Sequence, residues 1–390
     1  MAKVLQDLRV LEMGAFITGP AASMLLADMG ADVIKLERPG VGDPFRAFDG
    51  GLYSPHFQTY NRNKRSVAID TKKPPDLAIV DDLVGEADVF IHNFRPGVAE
   101  SLGVGCERLQ GLNPRLVYCA ISGFGPDGPD ADRPAYDTVA QAASGWLRLL
   151  VNPANPRVVG PAIADAVTGF YAALSILAAV HERDATGVGR RIDISMLEAM
   201  CHFNLDDFTH YFSAQEVMGP YSRPSVSQSY VFECADAKWV ALHLSSPDKF
   251  WQALAEAIEQ PKLFDDTRFA SRAARIAHQQ DLIELMRPIF KSRSRADWCA
   301  RLRALEVPHA AVYDSSEALA DPQAAHLGLL VEATHPLGRF RTVRYPAQFD
   351  GRPISDVSAP PTLGEHNPPG SPAPAWRPVV IPSDTELDHK

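Results

Sequence analysis

Residues 8–37, LRVLEMGAFITGPAASMLLADMGADVIKLE, decide the fold class. The apolar run 8–13 reads as a strand, closed by Gly14 and followed by Gly19-Pro20. Residues 21–29 read as a helix ended by Gly30, and Asp32-Val33-Ile34-Lys35-Leu36 as a second strand ending at Glu37. The alternation recurs, with strands at 66–70, 88–93 and 116–121 and a helix over 76–86. Helical periods then cover 136–150 and 165–182, a strand returns at 190–194, and another helix starts near Met196. Strands alternating with helices predict an α/β fold with a parallel, doubly wound sheet.

Beyond Pro220 the character changes. Residues 222–229 are polar and turn-rich, and 230–244 read as two strands about a turn at Asp236-Ala237. Helices are expected near 250–258, 282–291 and 296–305, so a smaller mixed domain ends near Leu330. Strand-like 341–345 precedes a tail with nine Pro between Gly351 and Lys390, expected to lie extended on a surface.

The 390 residues hold 38 Lys and Arg against 48 Asp and Glu, a net charge of −10, with 46% hydrophobic residues. That length suits two domains and the composition a chain with an ample core. The acidic balance excludes a general nucleic-acid binder, which needs a clustered basic surplus. Five scattered Cys with no CxxC pair point to free thiols in a reducing compartment and no bound metal. The N-terminus lacks a signal-type apolar core, and the most apolar segment, 166–180, falls short of the roughly 20 residues of a membrane helix. A cytoplasmic protein without membrane contact is the expectation.

Four segments carry candidate chemistry. Residues 14–20, between a strand and a helix, could turn backbone N–H groups towards a phosphate, although they are not GxGxxG and Pro20 removes one donor. The window 35–73 holds eight basic and four acidic residues, a local +4 within an acidic chain, and Asn61-Arg62-Asn63-Lys64-Arg65 reads as a loop before a strand. Such a run is either a solvated face or a polyphosphate site. Asn93-Phe94-Arg95-Pro96-Gly97 follows a strand directly, where doubly wound sheets bind ligands or simply turn. Asp165 opens the most apolar helix, as its N-cap, as an oriented nucleophile, or both. Tyr136-Asp137 begins another helix, and no Ser-His-Asp order, HExxH or Walker loop is present.

In this order the segments resemble the family III CoA-transferases, the group of formyl-CoA transferase and carnitine CoA-transferase, whose fold alpha-methylacyl-CoA racemase shares. The matching pieces are Val10-Leu11-Glu12 with Gly19-Pro20, Gly30-Ala31-Asp32-Val33-Ile34-Lys35-Leu36-Glu37, Asn63-Lys64-Arg65-Ser66, Asp70-Thr71-Lys72, Asn93 to Gly97, Asn113-Pro114-Arg115, Tyr136-Asp137, Asp165-Ala166-Val167-Thr168-Gly169 and Leu363-Gly364-Glu365-His366. Each is weak alone, but the colinear set spans nearly the whole chain.

The resemblance implies a large Rossmann-like, CoA-binding domain begun by 1–205, a linker 206–225 and a small α+β domain 226–325. A second linker 326–350 leads to a segment 351–390 that returns to the large domain, and two subunits interlock as a homodimer. It implies CoA, bound as an acyl-CoA substrate, on Arg38, Lys72, Asn93 and Phe94, with Arg95 and the Asn63-Lys64-Arg65 loop nearby. Asp165 matches the catalytic aspartate, with Tyr136 and Asp137 beside it. The implied reaction moves CoA from an acyl-CoA to a carboxylic acid through aspartyl anhydride and aspartyl-CoA thioester intermediates. Racemases of this fold place a His where Tyr136 stands, and a phenol of ordinary pKa, about 10, is a poor base at neutrality. Transfer is therefore favoured over the alternative, an acyl-CoA racemase or isomerase; a CoA-binding protein without catalysis is the third reading.

Three departures bear on the substrate. Ile17 stands where formyl-CoA transferase has a Gln, Ser101 where it has an Arg near CoA, and Arg223-Pro224-Ser225-Val226-Ser227-Gln228-Ser229 where its glycine-rich lid lies. These disfavour formate and oxalate and suggest another acid, faced by Ile17, Ser227 and Gln228.

Overall fold

The computed structural model describes residues 4–367 and 374–378; residues 368–373 and 379–390 of the expected C-terminal segment lie outside them. The chain separates into two compact units, one of residues 1–147, 160–205 and 326–390, the other of 148–159 and 206–325. Residues 148–159, placed by sequence in the first part of the large domain, cluster with the second unit instead. Beyond Arg148 and Leu149, which end a single turn of helix, they form turns and coil, with no periodic face to bind them to the sheet.

Six strands form the sheet of the first unit: β1 (Arg9–Glu12), β2 (Asp32–Glu37), β3 (Lys64–Ala68), β4 (Val89–His92), β5 (Val117–Ser122) and β6 (Arg191–Ser195). All five pairings are parallel, in the order β3-β2-β1-β4-β5-β6. The helices are α1 (Thr18–Asp28), α2 (Pro55–Tyr60), α3 (Pro74–Glu86), α4 (Val98–Ser101), α5 (Cys106–Leu112), α6 (Asp137–Ala143), α7 (Ile163–Thr186) and α8 (Met196–Phe203). Neighbouring strand residues serve opposite faces. Val10, Val33, Val89 and Cys119 pack with Leu26 of α1 and Ala172 and Ile176 of α7. Leu11, Ile34, Phe90 and Tyr118 pack with Val80 and Leu83 of α3 and Leu109 of α5. Burial on both faces is why these strands are apolar runs rather than alternating ones.

Boundaries differ from expectation where distant groups intervene. β3 starts at Lys64, so Lys64 and Arg65 are strand residues and not part of a loop. The expected helix 136–150 stops at Ala143, and Gly145, at φ +82°, precedes a separate turn of helix at Trp146–Leu149. α7 has 24 residues, beyond both the 165–182 expected and the apolar stretch 166–180. By length and composition it is therefore long enough to cross a membrane, and 44% of its apolar window is buried within this chain. Part of its burial is the contact with α1 at Gly169, where a Cβ would stand 2.9 Å from the Ala21 Cβ and 3.1 Å from the Thr18 carbonyl. In its last turn Arg183 pairs with Asp88 at 2.7 Å.

The outer edge of β3 is covered by C-terminal chain. His366 N–H donates to the Ser66 carbonyl (3.0 Å), and Asn367 Oδ1 accepts from Ala68 N–H (2.8 Å). An edge strand would otherwise present unpaired backbone groups. Trp376 is buried against the α3 side of the sheet.

In the second unit, which holds nearly all of α9 (Leu205–Ala214), β7 (Ser229–Glu233), β8 (Trp239–His243) and β9 (His309–Val312) pair antiparallel. Tyr230, Phe232, Val240 and Leu242 pack with Trp251, Met286, Phe290 and Trp298 from its helices. Residues expected to be turn-rich, 222–229, contain a short helix, α10 (Ser222–Ser227).

Candidate active site

Strand order reverses between β1 and β4, so the loops leaving them diverge and open a crevice at their carboxyl ends. Asn93, just past β4, holds the loop after β1. Its Oδ1 accepts from Ala15 N–H (2.9 Å), and its Nδ2 donates to the Ala15 carbonyl (2.7 Å) and Thr18 Oγ1 (2.9 Å). The next residue, Phe16, is left-handed at φ +61°, and its N–H donates to Asp43 Oδ1 (3.1 Å). That conformation costs a bulky residue roughly 1–2 kcal/mol, which the anchored neighbours offset.

Beneath this loop lies a buried network of charges. Glu12 accepts from Lys35 Nζ (2.7 Å), Lys64 Nζ (2.9 Å) and Ser23 Oγ (3.0 Å). Lys35 also donates to the Gly14 carbonyl (2.9 Å) and pairs with Asp43 (3.0 Å). Arg46 pairs with Glu37 at 2.7 Å. Burial opposes the charge on Glu12, but Lys35 and Lys64 outweigh it and hold the carboxyl at about 2. Burial pushes Lys64 down, offset in part by Glu12.

This network corrects the expectation for Asn63-Lys64-Arg65. Lys64 Nζ has all three donors engaged, the others by the Pro20 carbonyl and Asn61 Oδ1, each at 2.9 Å. Arg65 is held by Asp32 (2.6 Å) and the Ala375 carbonyl (2.8 Å), and Asn63 by Asp28 (2.8 Å) and Ser358. None of the three is placed to meet a phosphate. Asn93 likewise has its side chain committed to the β1 loop.

Arg38 and Lys72 differ: both are exposed, and neither makes an ion pair with the described residues. With Phe94, Gly14 and Thr71 they line a cleft of about 420 Å³ at the ends of β1, β2 and β3. Phe94 stacks on His92 (5.2 Å, 21°). His92 Nδ1 accepts from Phe94 N–H, which leaves Nε2 to carry the proton towards Tyr118 Oη at 2.9 Å. Burial drops His92 to about 4, so it is neutral at physiological pH. Arg95 is exposed beside a second pocket, of about 190 Å³.

Asp165 lies in the first turn of α7, but it is not the N-cap. That position is Ala162, which offers no side-chain acceptor. Asp137 supplies the cap from outside: its Oδ1 accepts from Ala164 N–H (2.8 Å) and Asp165 N–H (3.4 Å), and its Oδ2 accepts from Gln141 Nε2 (2.5 Å). Burial, and then the nearby Asp137 charge, push Asp165 up to about 7. Asp165 makes no side-chain hydrogen bond with the described residues, so its carboxylate remains available.

Rings surround this end of α7. Tyr136, 64% exposed, meets Phe16 edge-on at 5.8 Å, and Phe16 meets Phe45 at 5.2 Å. Tyr60, unremarked in the sequence, is raised by burial and then by the charges of Asp165 and Asp137, which places its phenol in their field. No spacing signal marks it, since it stands at the end of a six-residue helix. Ile17 does not face open space; it packs with Ala21, Phe45 and Phe57 at 8% exposure.

Ser227 and Gln228 are also corrected. Gln228 is buried at φ +48°, donating to the Ser245 carbonyl (2.8 Å) and accepting from Arg275 Nε (2.7 Å). Ser227 is buried, and its Oγ is bonded to the Arg223 carbonyl and Ser229 Oγ. Both serve the interior of the second unit. Among the described residues no three His, Cys, Asp or Glu gather as a metal-binding group.

Comparison with known proteins agrees with this architecture. The model of CoA-transferase family III matches residues 5–367. The succinyl-CoA–D-citramalate CoA-transferase of Chloroflexus aurantiacus is 33% identical, over 93% of this chain and 92% of that protein. Human succinyl-CoA:glutarate CoA-transferase is 29% identical over 93% and 84%. Formyl-CoA:oxalate CoA-transferase of Streptomyces avermitilis is 32% identical over 94% of each. The crystal structure of a CaiB/BaiF family protein from Brucella suis superimposes with a TM-score of 0.82 at 30% identity, covering 92% of this chain and 96% of that one. A parallel sheet with an anchored crevice, together with a family match over almost the full length, identifies the chain as an enzyme of CoA-transferase family III.

Proposed function

We propose that the enzyme transfers CoA from an acyl-CoA to a free carboxylic acid through covalent intermediates on Asp165. The Asp165 carboxylate attacks the thioester carbonyl, a C–O bond forms as the C–S bond breaks, and a mixed anhydride and CoA thiolate result. The thiolate attacks the aspartyl carbonyl, releasing the donor acid as carboxylate and leaving an aspartyl-CoA thioester. An incoming carboxylate attacks that thioester, giving a second anhydride and thiolate. Attack of the thiolate on the new acyl carbonyl yields the product and regenerates Asp165. Arg38 and Lys72 hold the CoA phosphates at the cleft, Phe94 takes the base face, and Arg95 lies beside them.

One observation carries the reading: a half-buried, unengaged carboxylate in the first turn of α7, fixed through Asp137. Fixed geometry matters because carboxylate and thiolate are weak partners unless aligned and shielded from water. The test is to incubate enzyme with acyl-CoA, add hydroxylamine or borohydride, and map the product by mass spectrometry. Modification is expected at Asp165, and its absence under turnover overturns the mechanism. Exchange of the substrate α-proton with deuterated water, without acyl exchange, would support the isomerase instead.

The nucleophile must be ionised, so kcat/KM for acyl-CoA is expected to rise with pH through a limb near 7. Removing the like charge with Asp137→Asn moves that limb to lower pH, although burial keeps it above the usual carboxylate range. Stability runs the other way. Between the ordinary 3.8 and about 7 the folded state binds the extra proton, so this group's contribution falls as pH rises through that window. A pH–rate profile with no limb between 5.5 and 8.5 would refute the assignment.

We also propose a homodimer. Phe170 and Leu174 on α7 are 60% and 64% exposed, and Phe203 and Leu205 are 45% and 52% exposed. Apolar side chains of this size left open on a long apolar helix mark a covered surface. Light scattering at micromolar concentration is expected to give twice the 42.5 kDa chain mass; a monomer mass would refute it.

A further inference from the structure

We infer that the rings beside Asp165 form a subsite for the organic part of the acid, and that this acid is an apolar, aryl-bearing monocarboxylic acid. The inference rests on Asp165 being the nucleophile. Phe16, Phe45, Phe48, His56 and Tyr136 form one chain of rings: Tyr136 to Phe16 at 5.8 Å, Phe16 to Phe45 at 5.2 Å, Phe45 to Phe48 at 4.9 Å and Phe48 to His56 at 5.2 Å. One end of the chain, Tyr136, is next in sequence to Asp137, whose carboxylate accepts from Asp165 N–H (3.4 Å). Asp137 caps α7, and Phe45 packs in one cluster with Ile17, Tyr60 and Ala162, the residue at the start of α7.

Two features point to a ligand. Phe48 and Tyr136 are 60% and 64% exposed, an apolar rim rather than a finished core. Phe16, the central ring, is kept left-handed by the anchors on Ala15 and on its own N–H. Strain retained by such anchors is found where a side chain must be aimed. Edge-to-face ring contacts favour an aryl guest.

Charge argues against a second carboxylate on the acid. Arg46, between Phe45 and Phe48 in sequence, is fully buried, paired with Glu37 and stacked at 3.6 Å on Phe57. Lys35 and Lys64 are engaged by Glu12. No Lys or Arg belongs to the ring chain, and an unpaired carboxylate against apolar rings is strongly disfavoured. The subsite thus contrasts with the glutarate and citramalate in the names of the two relatives above.

Isotope exchange between an acyl-CoA and its own labelled acid tests this on the full-length enzyme, using phenylacetyl-CoA with phenylacetate and glutaryl-CoA with glutarate. The aryl pair is expected to exchange with kcat/KM at least about tenfold higher. Phe48→Ala should lower the aryl value about tenfold, mainly through KM, and Phe48→Arg should lower it while raising the glutarate value. Faster glutarate exchange in the wild type, or aryl exchange unchanged in Phe48→Ala, overturns the subsite. If neither pair exchanges and no adduct forms on Asp165, the transferase reading itself fails; an adduct without aryl exchange removes only the subsite.

Discussion

Asp165→Asn is expected to lower kcat for acyl-CoA exchange by at least about 10³-fold, because the amide supplies shape without a nucleophile. Asp165→Glu should retain little more. One added methylene moves the carboxylate by more than 1 Å, and misplacement of that size costs about 10²-fold in a reaction that depends on alignment. Neither loss should reflect unfolding. Asp165 makes no side-chain hydrogen bond with the described residues, and its environment opposes its ionised form. Removing the charge therefore relieves the folded state at pH 8, where the wild type is ionised. The Asn variant should show a thermal midpoint equal to or above wild type there, while acyl-CoA still binds. Turnover within tenfold of wild type would remove Asp165 from the chemistry.

Glu12→Ala should be the most damaging substitution for stability. It leaves Lys35 and Lys64 facing each other with their side chains fully buried, where breaking a buried pair costs about 3–5 kcal/mol. A drop in thermal midpoint of about 10 °C, or loss of soluble protein, is expected. The same cut should loosen the β1 loop, because Lys35 also holds the Gly14 carbonyl. Lys72→Ala and Arg38→Ala provide the contrast. Both side chains are exposed and unpaired among the described residues, so the midpoint should stay within 1–2 °C, while KM for acyl-CoA rises about tenfold with kcat little changed. A Glu12→Ala protein as stable as wild type would show that the network is not what holds this loop.

These predictions divide the basic window 35–73 in a way its charge count does not. Five of its eight cations, Lys35, Arg46, Arg62, Lys64 and Arg65, are paired with Glu12, Glu37, Asp28 or Asp32. Only the remaining three, Arg38, Lys72 and Lys73, make no ion pair with the described residues, and of these Arg38 and Lys72 line the cleft. Glu12, Asp28 and Asp32 lie outside the window, so a local sum sees the cations without their partners.

Much of the fold was legible in the order of residues. A buried parallel strand is an apolar run, a helix follows within a few residues, and both are set by local hydrophobic period; hence β1, β2, β4, β5 and β6 fell within about two residues of expectation. Asp165 and Tyr136-Asp137 were equally visible, because helix starts have local signatures. The tertiary structure decided what those residues do to each other. Asp137 caps α7 from 27 residues away, Tyr60 enters the field of Asp165, and Gln228 turns inward to Arg275. Secondary structure follows from neighbours in sequence, but charge, exposure and proton affinity follow from neighbours in space. That difference is why the elements could be read along the chain while the roles of Lys64, Arg65, Ile17 and Gln228 could not.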